Sequence, residues 1–67
     1  MTDDQASRIL FLAAELRKVG RGSMDWIYDL ITDMESFVKG ERSIVEMTAD
    51  GWIEFAEHQL SMRGVKA

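Results

Sequence analysis

The chain has 67 residues, 46% of them hydrophobic and 30% charged, with no proline and no cysteine. That balance is the ordinary one of a globular chain and not of a disordered one, and one small domain spanning 1–67 is expected, while the missing thiols exclude a disulfide framework or a thiolate metal site. The net charge of −4 is modest, the opening Met1-Thr2-Asp3-Asp4 lacks the basic flank of a signal peptide, and the longest apolar run, Ile9 to Ala14, falls far short of the ~20 residues that span a bilayer, so a cytoplasmic location without membrane association is expected.

The first predicted helix runs over 3–19. Thr2 and Gln5 stand at capping-box spacing, Arg17 and Lys18 put cations in the last turn, and Gly20 supplies a left-handed stop. Ile9, Leu12, Ala13, Leu16 and Val19 form its core stripe, whereas Phe11 falls nearly opposite, beside Asp4, Ser7 and Lys18. Arg17, Lys18 and Arg21, followed by a short Gly-containing turn, resemble the approach to a helix-turn-helix, which makes a small DNA-binding regulator the alternative reading of the chain.

The second helix is expected over 24–39, inside the segment "SMDWIYDLITDMESFVKG", with Ser23 as its cap and Gly40 as its stop. Ile27, Leu30, Ile31, Met34 and Val38 form its core stripe. Trp26 and Phe37 make a shoulder ridge with Leu30 and Asp33, and Tyr28 lies on the other shoulder. Asp25, Asp29 and Asp33 recur every four residues as an acidic ridge on the outer face, where repulsion costs a few tenths of a kcal/mol per pair. A recognition helix should offer Arg, Lys, Asn or Gln to base edges, so these aspartates argue against nucleic acid as the partner.

Between the second and third helices, "ERSIVEM" carries Ser43 and Glu46 at capping-box spacing and predicts a short helical turn near 43–47. The third helix follows over 49–63, with Thr48 before it, Asp50 in its first turn and Gly64 after it. Ala49, Ile53, Ala56 and Leu60 form its core stripe, and Phe55 and Met62, one heptad apart, are placed opposite with Gly51, His58 and Gln59. Glu54 and His58 have helical metal-pair spacing, but Phe55 occupies the position a Glu-x-x-His site would need, so no metal or cofactor is expected. With one histidine, no glycine-rich phosphate loop and no base beside a serine, no catalysis is expected either.

The expected fold is therefore an all-α three-helix domain. Folding a chain of this size removes roughly 4,000 Å² of apolar area from water, worth roughly 100 kcal/mol, and ordering its residues costs about the same. So thin a margin favours self-association, and a homodimer is expected with Phe55, Met62 and Phe11 at its interface. The remaining surplus of aromatic surface, Trp26 and Phe37 with Asp33 beside them, is assigned to a protein partner. In size, acidity and cysteine-free design across its whole length, the chain resembles the small accessory proteins of bacteriophages, including anti-CRISPR and anti-quorum-sensing inhibitors. That resemblance implies a stoichiometric inhibitor or regulator of one bacterial host protein, acting in the host cytoplasm, and no functional residue is carried over from it.

Overall fold

A computed structural model describes residues 1–19, 25–41 and 45–64. Three helices succeed one another, α1 (Asp3–Val19), α2 (Asp25–Val38) and α3 (Ala49–Met62), and no strand occurs among the described residues. Each boundary that can be inspected has a local chemical cause. Thr2 donates its N–H to Gln5 Oε1 at 2.9 Å and accepts the Gln5 N–H on its hydroxyl at 3.1 Å, so the capping box is closed in both directions. At α3 the Thr48 hydroxyl accepts the Gly51 N–H at 3.0 Å from an extended backbone.

α2 ends in a Schellman turn. Gly40 takes a φ of +78°, its N–H reaches the Phe37 carbonyl at 3.1 Å, and the Glu41 N–H reaches the Ser36 carbonyl at 2.9 Å. Gly64 repeats the left-handed stop after α3 with a φ of +80°. The stop expected at Gly20, the cap expected at Ser23 and the basic residue Arg21 lie outside the described residues. So do positions 43 and 44 of the expected helical turn, while Val45 to Met47 form a bend and irregular chain instead of a helix.

α1 is the central element. It packs against both α2 and α3, which scarcely touch each other directly. Its core stripe is fully buried at Ile9, Leu12, Ala13 and Leu16, facing Ile27, Ile31 and Met34 of α2 and Ala49, Trp52, Ala56 and Leu60 of α3. Polar ties at the rims fix the helix pairs: Arg17 bonds Glu35 across α1 and α2, Arg8 bonds Glu57 at 2.8 Å across α1 and α3, and Gln5 Nε2 donates to Asp50 at 2.9 Å. These half-exposed pairs contribute little energy and chiefly select orientation.

Trp52 corrects the reading of the third helix. It shares the helical spacing of Ala49 and Ala56, is fully buried, and displaces the centre of the α3 stripe toward itself. Phe55, placed opposite the core by the sequence, is consequently half-buried on the shoulder, packed on the core with its ring edge-on to Trp52 at 6.1 Å. Among the described residues the Trp52 indole N–H finds no acceptor.

Candidate functional site

The ridge expected along α2 exists, but its members do different work. Trp26, Leu30, Asp33 and Phe37 follow one another at i, i+4, i+7 and i+11 and so share one side of the helix. Trp26 is 43% exposed, so close to half of a large aromatic side chain faces solvent. Leu30 and Phe37 are half-buried and close the edge of the core.

Asp33 does not belong to a solvated acidic face. It is only 7% exposed, and its Oδ2 accepts the Val45 N–H at 2.7 Å. The carboxylate thus draws the chain that leads to α3 across the flank of α2. A buried carboxylate has to be hydrogen-bonded, and a charge-assisted bond to a backbone N–H is among the stronger ways to do it. Asp29 remains exposed; the side chain of Asp25 lies outside the described residues.

The segment held by Asp33 makes one wall of a cleft of about 430 Å³ lined by Asp29, Leu30, Thr32, Asp33 and Val45. Leu30 and Val45 supply apolar walls, and Asp29 and Thr32 a polar rim. Thr32 turns its hydroxyl back to the Tyr28 carbonyl at 3.0 Å, which leaves Asp29 as the exposed anionic group of the rim. Trp26 stands one helical turn before Asp29 and Leu30, so an exposed aromatic, an apolar recess and an exposed carboxylate lie in succession along α2. Val45 was not legible as part of this site, because only the tertiary bond to Asp33 brings it there.

The residues expected at a dimer seam are not brought together as one. Phe11 is 49% exposed on α1 with the Arg8 guanidinium 5.6 Å from its ring centre, and Arg8 also holds Glu57. Glu57 therefore marks the flank of α3 that meets the Phe11 side of α1. Phe55 lies about 160° around α3 from Glu57, toward the other flank, and its ring is engaged with Trp52. Met62 is 68% exposed near the end of α3, one heptad after the half-buried Phe55.

Glu54 and His58 are both exposed, and among the described residues no group of three potential ligands could hold a metal ion. Of the basic cluster expected at the end of α1, Arg17 bonds Glu35 and Lys18 lies 3.6 Å from Glu15, both at the exposed surface, while Arg21 lies outside the described residues. No described helix is long and apolar enough to cross a membrane. Comparisons with protein-family models, curated proteins and solved structures find no match, so the geometry of these side chains is the ground on which function has to be read.

Proposed function

We propose that this chain is a stoichiometric protein-binding regulator or inhibitor, without catalytic activity, that docks one bacterial host protein on the α2 face formed by Trp26, Asp29, Leu30, Phe37 and the Val45 segment. The observation that carries this reading is Trp26, 43% exposed one turn from an apolar cleft with an anionic rim. Exposed Trp beside a recess is the composition of an interface hot spot, where one aromatic anchor and one filled pocket supply most of the affinity. The partner chemistry follows from the lining. An aliphatic side chain suits the Leu30 and Val45 walls, and a neighbouring Lys or Arg suits Asp29 and the ring face of Trp26.

In this reading Asp33 positions the cleft wall through Val45 and does not contact the partner. The resemblance to phage accessory proteins points to the bacterial cytoplasm as the place of action. A DNA-binding regulator is less well supported, because α2, the helix that would follow the turn into a groove, carries no Arg, Lys, Asn or Gln and exposes Asp29. The test is affinity capture from bacterial lysate with the wild-type chain and Trp26→Ala in parallel, together with a duplex-DNA shift assay. A single protein captured in equimolar amount by the wild type and lost by Trp26→Ala is expected. Retention of DNA with steep salt dependence, and no protein, would favour the alternative.

A further inference from the structure

The outer face of α1 is packed by neither α2 nor α3, although the Arg8 guanidinium that holds Glu57 of α3 stands 5.6 Å from the centre of the Phe11 ring at its edge. Its exposed residues follow a stripe, Ser7, Leu10, Phe11, Ala14 and Lys18, with Leu10 43% and Phe11 49% exposed at the centre. The stripe is bounded by exposed charges of opposite sign, Asp3 and Asp4 at one end and Arg17 and Lys18 at the other. Charges so placed also suit the helix dipole, but the dipole asks nothing of the apolar residues between them.

We infer that this face binds a second copy of the chain, with the two α1 helices antiparallel about a two-fold axis between Leu10 and Phe11. Such an axis sets residue i against residue 21 − i of the other copy. Leu10 and Phe11 of both copies then cluster about the axis, and the small side chains of Ser7 and Ala14 meet each other along the stripe centre and allow close approach of the helices. Asp3 and Asp4 meet Lys18 and Arg17 at both ends. The match in length is automatic: the charged ends are about 22 Å apart on each copy, because both are the same helix. A parallel pair would set aspartate against aspartate and cation against cation, so the charges choose the direction. Arg17 is only partly covered by Glu35, and its guanidinium has further donors to offer.

An isologous patch of this kind closes on itself and stops at two chains. It also gives the homodimer expected from the thin stability margin a seam on α1 in place of one on α3. The face is separate from the Trp26 ridge, so the two assignments fail independently.

The test uses light scattering and cysteine cross-linking on the full chain, which has no cysteine of its own. At ~100 μM the wild type should have twice the 7.7 kDa chain mass, and Phe11→Ser, a change at an exposed side chain, should weaken the dimer at least tenfold while leaving helicity unchanged. On mild oxidation a mixture of Ser7→Cys and Ala14→Cys chains should form the mixed disulfide at least tenfold faster than either variant links to itself, since positions 7 and 7 of an antiparallel pair are offset by about 10 Å. If Phe11→Ser loses its helicity, the cross-linking rates decide. A single-chain mass at every concentration, a Phe11→Ser dimer as tight as the wild type, or Ser7→Cys linking faster to itself than to Ala14→Cys would each overturn the inference.

Discussion

The nearly buried carboxylate of Asp33 accepts the backbone N–H of Val45 at 2.7 Å, so one α2 side chain sets the path of the segment that leads into α3 and walls the cleft. Asp33→Ala should cost about 1–3 kcal/mol, because it leaves the Val45 N–H without its acceptor, and Asp33→Asn should recover part of that loss. Asp29→Ala, four residues earlier and exposed, should change stability by less than ~0.5 kcal/mol. Urea melts of the three variants check this. A larger loss from Asp29→Ala than from Asp33→Ala would show that the carboxylate roles are reversed.

Trp52 should be the most sensitive position of α3. It is fully buried between the helices and braced edge-on by Phe55. Trp52→Ala should cost about 3–5 kcal/mol, enough to unfold most of so small a domain. Trp52→Phe should cost distinctly less, since it keeps an aromatic ring in place and removes an indole N–H that has no acceptor among the described residues. Thermal melts by circular dichroism would separate the two variants, and equal losses would mean that ring packing is not what Trp52 supplies.

Gly40 holds the Schellman turn at a φ of +78°, with nothing within 4 Å of where a Cβ would stand. Space is therefore not the constraint, and backbone conformation is. Gly40→Ala should cost about 1–2 kcal/mol through the left-handed geometry alone, with Gly40→Asn milder. Chemical denaturation of both variants would read this directly; a neutral Gly40→Ala would mean that the turn relaxes out of its left-handed form.

The helices were legible in the sequence because their signals are local. The Thr2 and Gln5 box, the Thr48 cap, Gly40 and Gly64 each act within one turn of the backbone they terminate. The α1 stripe was likewise complete at Ile9, Leu12, Ala13 and Leu16. The third helix was misread for a nameable reason: Trp52 has the spacing of the core stripe, and leaving it out turned the apparent face away and placed Phe55 outward. Asp33 was misread differently. Its four-residue spacing from Asp29 implies a common solvated ridge, and nothing within α2 signals that Val45, 12 residues away, covers it. The cleft depends on that long-range bond and so was not readable from helical periodicity.

The docking assignment rests most directly on Trp26. Close to half of its side chain is exposed, so truncation should remove the anchor. The decisive measurement is a calorimetric titration of the captured host protein with the wild-type chain and with Trp26→Ala, after circular dichroism has established that the two melt within a few degrees of each other. The proposed role predicts 1:1 binding by the wild type and at least a tenfold higher Kd for Trp26→Ala, equivalent to about 1.4 kcal/mol or more. Equal affinities for the two chains would contradict it and move the docking surface off the α2 ridge.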